Sequence, residues 1–296
     1  MQDSPYLTSE EAAAYLRIKE RKLYEMAASG AVPCSKVGGK WVFPRATLDR
    51  WIEASMSRPS GVSPAKAPPI IGGSTDPLLE WAARRSGSGL ALLSEGSEAG
   101  LARLAANTVS MAAIHLHDLG EDERANEDAV GASPELFDAV VIGFVRREQG
   151  LLVAPGNPKG LTGLESAIAS GARFGLRQAG AGAQQLLERM LFKLGAKASQ
   201  VNAPGTAHAT GQDLAQAIRR GDVECGLATR AVAAGLGLGF APLTWERFDL
   251  VLRRRTYFEP GPQALFALLR SDEFKRQADA LTGYDLAQCG LVRLNR

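Results

Sequence analysis

The chain has 296 residues, 45% hydrophobic and 22% charged, with a formal net charge of +2. These values fit a globular chain of two or more domains and exclude a protein held on nucleic acid by global charge, so any DNA affinity must come from a local patch. The three cysteines, Cys34, Cys225 and Cys289, lie far apart and form neither a disulfide framework nor a zinc cluster, which points to a reducing compartment.

The first elements are helical. Thr8 followed by Glu11 has capping-box spacing, in which the hydroxyl accepts an orphan amide and the carboxylate bonds back. Ala12, Ala13 and Leu16, then Leu23, Met26 and Ala27, repeat at helical spacing on either side of RIKER, which leaves room only for a tight turn. Gly30 is a C-cap candidate. Lys36-Val37 and Trp41-Val42-Phe43 flank Gly38-Gly39, a two-residue hairpin signal. Pro44 ends the second strand, and residues 46–53 predict a last helix. The Pro- and Ser-rich stretch at 56–69 reads as a linker between a domain over 1–55 and a larger one over 70–296.

The larger part alternates strands and helices. PPIIGGSTDP predicts a strand, a Gly/Ser/Thr loop and a helix, and GLALLSEGSEAGLARLA repeats the plan. VSMAAIHLHD is a further strand, and AVVIGFVRREQGLLVAP is a strand pair or one bent crossing strand. GARFGLRQAGAG runs into a glycine-rich loop and an amphipathic helix, LAQAIRRGDVECGLA is a helix then a buried strand, and LGLGFAPLTWERFDLVLRR is strand-rich. One or two helices close the chain. The expected class is α/β, with a mainly parallel sheet covered on both faces. No run of about eighteen apolar residues occurs, and the start MQDSPYLTSEE lacks a basic region followed by an apolar core. The expectation is a cytoplasmic protein without membrane contact.

Helix, turn, helix, hairpin and helix make the plan of a winged helix-turn-helix. The segments LTSEEAAAYL, GAVPCSKVGGKWVFP and LDRWI resemble the excisionase-type, MerR-related DNA-binding domain, and the resemblance covers nearly all of the N-terminal part. It implies a second helix in the major groove of double-stranded operator DNA and a wing on the backbone or minor groove. The residue types agree. Arg17, Lys19, Arg21 and Lys22 cluster at the turn and the start of the second helix, with Tyr24 beside them, Lys36 and Lys40 on the wing and Arg45 beyond. Cations there neutralise phosphates and release counterions, and a helical Arg reads guanine edges. Trp41 and Trp51 are expected in the small core. Paired half-sites imply a homodimer or higher homo-oligomer.

The segments IGGSTDP, HLHD, VRREQGLLVAPGNPKGLTGLE, FGLRQAGAGAQQLLE and GDVECGLATRAVAAGLGLGFAPLTWERFDLVL resemble a periplasmic-binding-protein-like domain of the type II, two-lobed kind. More narrowly they resemble the group fused to DNA-binding domains or to molybdopterin-biosynthesis proteins. The resemblance implies lobe I at about 70–145 plus 243–296 and lobe II at about 146–242, with a ligand in the cleft between them. Ligands in such folds meet strand ends and helix N-termini, where free amides and the helix dipole favour negative charge.

Lobe I offers Gly73, Ser74, Thr75 and Ser97; the three hydroxyl residues equally suit helix caps. Lobe II offers Arg177, Gln178 and the amides of Gly180, Ala181, Gly182 and Ala183, while Thr206, His208 and Thr229 lie on later loops. His115 and His117 share a strand face with Asp118 nearby. With so few histidines they are expected to line the cleft or the interior, with no metal ion and no cofactor.

GAGAQQ is not a dinucleotide fingerprint, because Gln185 stands at the third glycine position. The chain lacks a phosphate-binding P-loop and a G-x-S-x-G elbow, so a binding protein is expected, not an enzyme. The resemblance implies molybdate or tungstate, or a molybdenum-cofactor-related molecule, as the ligand. Ala181 and Ala183 replace the hydroxyls expected of the family, which leads to the expectation of a larger ligand, such as an organic anion. The leading reading is a one-component regulator whose ligand changes its contact with the operator. A carrier or cofactor-insertion protein with an idle DNA arm is the alternative.

Overall fold

The structure, a computed structural model, describes residues 4–54, 66–117 and 124–296. The chain divides into two compact units, Met1–Ala65 and Lys66–Arg296. Most of the expected linker (56–65), and Asp118, lie outside the described residues.

The first unit runs β1 (Tyr6–Leu7), α1 (Ser9–Tyr15), α2 (Glu20–Ala28), β2 (Ser35–Val37), β3 (Lys40–Pro44) and α3 (Arg45–Ala54). The capping box forms at the start of α1: the Glu11 amide donates to Thr8 Oγ1 and the Thr8 amide to Glu11 Oε2. Gly38 and Gly39 both have positive φ (57° and 82°), which closes the β2–β3 hairpin with the twist its strands need. β1, too short to stand out in the sequence, adds to the other edge of β3. Leu23, Leu48 and Phe43 form the fully buried centre, each stabilising the unit by about 1.5–3 kcal/mol. Trp41 and Trp51 pack at its margin, as expected.

The second unit begins with β4 (Ile70–Gly73), α4 (Pro77–Arg85), β5 (Ala91–Ser94), α5 (Ser97–Ala105), β6 (Met111–Ile114) and α6 (Ala125–Ala132). The 15-residue strand β7 (Ala139–Val153) then crosses into α7 (Leu164–Ala169), β8 (Phe174–Gly175), α8 (Gly182–Lys193), α9 (Gly211–Arg220), β9 (Cys225–Thr229) and α10 (Arg230–Gly235). A second 15-residue strand, β10 (Gly239–Arg253), returns to α11 (Arg254–Tyr257), α12 (Pro260–Leu269), α13 (Asp272–Leu281), β11 (Tyr284–Asp285) and β12 (Val292–Asn295).

The sheet order is β5-β4-β6-β10-β7-β9-β8, and β11 and β12 also pair with β7. β4 lies parallel to β5 and β6, and β8 parallel to β9, but β7 and β10 run antiparallel to each other and to their other neighbours. The sheet is therefore mixed rather than mainly parallel, because the chain crosses between lobes twice in opposite directions. Each crossing strand spans about 50 Å at about 3.3 Å per residue, enough to serve two cores.

Lobe I packs Leu78, Met111, Phe144, Phe248 and Phe274 on one face of the sheet and Leu104, Ile114 and Val141 on the other. Lobe II does the same with Leu151, Phe174 and Leu187, then Leu152, Leu214 and Ile218. Backbone contact is unusually close between β4 and α5: a Cβ on Gly100 would lie 2.4 Å from the Gly73 Cα.

Candidate functional site

In the first unit Arg17, Lys19, Arg21, Lys22, Tyr24, Lys36 and Lys40 are all exposed. Arg17 sits in the α1–α2 turn with φ 53°, and Lys19 is the N-cap of α2. Arg21 and Lys22 lie 3.5 and 3.7 Å from Glu25, weak surface pairs that leave both cations available to phosphates. The Lys36 ammonium lies 5.5 Å from the Trp41 ring centre, and the half-buried Arg45 stacks over Tyr15 at 5.1 Å. The expected cations thus share one helix–wing scaffold, with Arg45 in a more structural setting than expected.

In the second unit the lobes meet around a small cavity of about 30 Å³. Gly73, Ser74, Thr75, Ser94, Gly96 and His115 line it from lobe I. Arg177, Ala183, Ala209, Gly211, Gln212 and Thr229 line it from lobe II, with Arg147 and Gln149 at the crossing strand. Arg147 is fully buried and neutralised: its Nε lies 2.6 Å from Glu246 Oε1 and its Nη1 3.1 Å from Asp76 Oδ2. Asp76 also caps α4 through the amides of Leu78 and Leu79 and accepts from the Tyr284 hydroxyl. Burial acts to raise the Glu246 carboxyl, but His115, Arg147 and the His117 donor outweigh it and hold it well below the usual carboxylate range. Burial lowers His115 to about 4, so its ring is neutral at physiological pH.

Arg177 differs from Arg147. Its Nε donates to the His208 carbonyl at 3.1 Å and its Nη2 to the Ala209 carbonyl at 2.8 Å, so backbone holds the guanidinium in place. Its partners are neutral carbonyls, and no carboxylate among the described residues forms an ion pair with it. Burial, with Arg147 nearby, lowers it to about 10, which still leaves it charged. Two further buried polar atoms in the cavity wall, Thr229 Oγ1 and Gln149 Oε1, have no hydrogen-bond partner. A charged group and unsatisfied polar atoms around one small space are costly unless something fills it.

The family pattern described as PBP superfamily domain matches residues 79–270. The chain belongs to the PBP superfamily. A helix-turn-helix domain pattern matches residues 6–56. The Bacillus subtilis (strain 168) protein YvgK is 23% identical over 309 residues, covering 99% of both chains. Among solved structures, a Clostridium perfringens ABC-transporter substrate-binding protein with bound phosphate has a TM-score of 0.52 at 12% identity, over 72% of this chain and 96% of that one. Corynebacterium glutamicum OxyR, as an H2O2-bound cysteine-to-serine mutant, has a TM-score of 0.50 at 14% identity, over 93% of this chain and 89% of that one. These likenesses show the fold: a helix-turn-helix unit followed by a two-lobed PBP-type domain. Among the described residues no helix is long and apolar enough to cross a membrane.

Of the residues expected at the cleft, Gly73, Ser74, Thr75, His115, Arg177 and Thr229 line this cavity, and the others fall elsewhere. Asp76, not Ser74 or Thr75, caps α4, which leaves those two facing the cavity. Ser97 is fully buried behind the wall; its Oγ accepts from the His115 amide at 3.0 Å and bonds the Ser74 hydroxyl at 2.9 Å. His117 lines a separate cavity of about 290 Å³ with Trp245, Arg189 and Glu246.

Of the GAGA loop, Gly180 to Ala183, Ala183 alone lines the cavity. Gln178 donates to the Glu95 carbonyl at 2.9 Å, Gly180 packs on Glu98, Ala181 is buried, and Gly182 presses on His115. Ala183 reaches the wall of this cavity of about 30 Å³ while Ala181 is buried away from it, so the alanine positions open no extra room there. Thr206 is exposed and away from the cavity, and His208 acts through its backbone carbonyl. The start of α9, at Gly211 and Gln212, also lines the cavity, as do the N-caps of α5 (Gly96) and α10 (Thr229). Arg147 and Gln149 were missed in the sequence: they sit in the polar run Arg146 to Gln149, where every second residue shares a face but nothing marks which face is buried. Glu246, 129 residues beyond His117, had no local signal.

Proposed function

We propose that this chain is a one-component transcriptional regulator that binds operator DNA through its first unit and takes a small oxyanion in the cleft of its second. The observation that carries the reading is Arg177, a guanidinium fixed by two backbone carbonyls beside buried polar atoms that lack partners. The size of the cavity, about 30 Å³, favours a compact ion such as molybdate or tungstate over an organic anion; by the same measure a water needs about 10–15 Å³. The exposed cations of the helix-turn-helix unit supply the DNA side, and we propose that two copies act together on paired half-sites, in the cytoplasm where operator DNA lies.

Closure is the coupling element. Gln178 and Gln185 of lobe II donate to Glu95 and Glu98 of lobe I, so an anion held by Arg177 and the lobe I loops favours the joined lobes. That difference in affinity between joined and parted lobes is the coupling energy available to the DNA-binding unit.

The test is calorimetric titration of the full chain with molybdate, tungstate, phosphate and sulfate. At least one is expected to bind, and Arg177→Met to weaken it about 10- to 150-fold, the loss of about 1.5–3 kcal/mol for a hydrogen bond to a charged group. Absence of binding by all four, or equal binding by the variant, contradicts the reading.

A further inference from the structure

The chain has three histidines, and two of them converge on one carboxylate. His117 Nε2 lies 2.8 Å from Glu246 Oε2, and His115 Nδ1 lies 3.2 Å from the same oxygen. The donor atoms of the three residues all lie within 4.8 Å of one another. We propose that His115, His117 and Glu246 form a binding site for one divalent first-row transition ion, for which Zn²⁺ and Co²⁺ are the working probes.

The donor set is of the right kind. Two imidazoles and one carboxylate suit zinc and its neighbours better than calcium or magnesium, which prefer all-oxygen sites. The spacing also fits. Bonds of about 2.0–2.2 Å in a tetrahedron place neighbouring donor atoms about 3.3 Å apart, and two of the three separations already lie close to that. Each ring would bind the ion through the nitrogen that now faces Glu246 and carry its proton on the far nitrogen.

The supporting shell is built as metal sites require. Arg147 Nε and Gln149 Nε2 both donate to Glu246 Oε1, at 2.6 and 2.8 Å, which turns Oε2 to the imidazoles. The His115 amide is held by Ser97 Oγ and the His117 amide by Gln185 Oε1, which fixes both ligands at the end of β6. Glu246 is 4% exposed, and the charges paired beside it, Arg147 against Glu246 and Asp76, sum to one negative. A cation is therefore favoured there over a further anion. His117 and Glu246 open onto the 290 Å³ cavity, which supplies an entry path and space for a water as fourth ligand. The ion would join lobe I to the crossing strand β10, and His115 would then fix one wall of the smaller cavity.

The experiment uses untagged, metal-free full chain, titrated with Zn²⁺ by calorimetry and with Co²⁺ by visible d–d absorption. We expect saturable binding of one ion per chain, an intense tetrahedral Co²⁺ band, and its loss on adding Zn²⁺. His117→Ala should weaken binding by more than about 100-fold, beyond the roughly 10- to 100-fold of a lost supporting residue. Cys34→Ala, in the other unit, should bind as the parent does. The Co²⁺ spectrum of the parent chain needs no variant, so a folding defect in His117→Ala cannot mask the answer. No saturable binding of either ion by the parent, or binding untouched by His117→Ala, overturns the site.

Discussion

Replacing Gly182 with alanine tests whether the lobes must come together for the anion to be held. Gly182 opens α8 in lobe II, and a methyl there would lie 1.9 Å from the His115 carbonyl oxygen and 2.4 Å from its Nδ1, both in lobe I. The carbonyl belongs to backbone tied into β6 and Ser97, so it cannot swing aside. Such overpacking costs about 1–3 kcal/mol, and because it acts only when the lobes touch, it should appear as about 5- to 150-fold weaker anion binding. The free protein escapes the clash by parting its lobes, so its melting temperature should hardly change. Gly100→Ala is the control: its methyl meets Gly73 backbone at 2.4 Å inside lobe I, where no opening relieves it, and the free protein should melt lower. Calorimetry and thermal melts of both variants give the comparison. Affinity within about twofold of the parent for Gly182→Ala, or a melting loss equal to that of Gly100→Ala, would refute the reasoning.

Burial raises Asp249 to about 6, with the Asn126 amide opposing and Glu127 reinforcing the shift. This folded value lies above the unfolded one of about 3.9, so the contribution of the group is full below about pH 4 and is lost as pH rises through about 6. Asp249→Asn should therefore gain up to about 3 kcal/mol on the parent above about pH 7 and little below about pH 4, as read by denaturant melts; parallel pH profiles would contradict this. On the wing, Lys36→Ala with Lys40→Ala should reduce the slope of log affinity for DNA against log salt by up to about 1.8, at about 0.9 per phosphate contact. An unchanged slope in fluorescence anisotropy would remove the wing from the interface.

Much of the architecture was legible because its signals are local. Thr8 and Glu11, the Gly38-Gly39 turn and the apolar spacing of Leu16, Leu23 and Met26 each specify their structure within a few residues. The long crossing strands were legible as apolar runs, but their antiparallel pairing was not, since register depends on partners about a hundred residues away. The cleft was half legible for the same reason. Loops after strands in lobe I are local features, and Ser74 and Thr75 line the cavity. The role of the GAGA loop was not legible because it depends on what lobe I presents: the Glu95 carbonyl takes the Gln178 side chain, Glu98 takes that of Gln185, and His115 packs against Gly182. Asp76 shows the same limit, since nothing local reveals that one carboxylate caps α4 and also pairs with Arg147.

The central claim joins the two units: an anion at Arg177 changes how the helix-turn-helix unit holds DNA. The direct measurement is fluorescence anisotropy of the full chain on DNA from upstream of its own gene, with and without the oxyanion that binds in calorimetry. The account predicts a shift in DNA affinity of about 5- to 150-fold, the usual range for about 1–3 kcal/mol of coupling, and its disappearance in Arg177→Met while DNA binding without anion stays intact. DNA affinity that ignores a bound anion, or an equal shift in Arg177→Met, would contradict it.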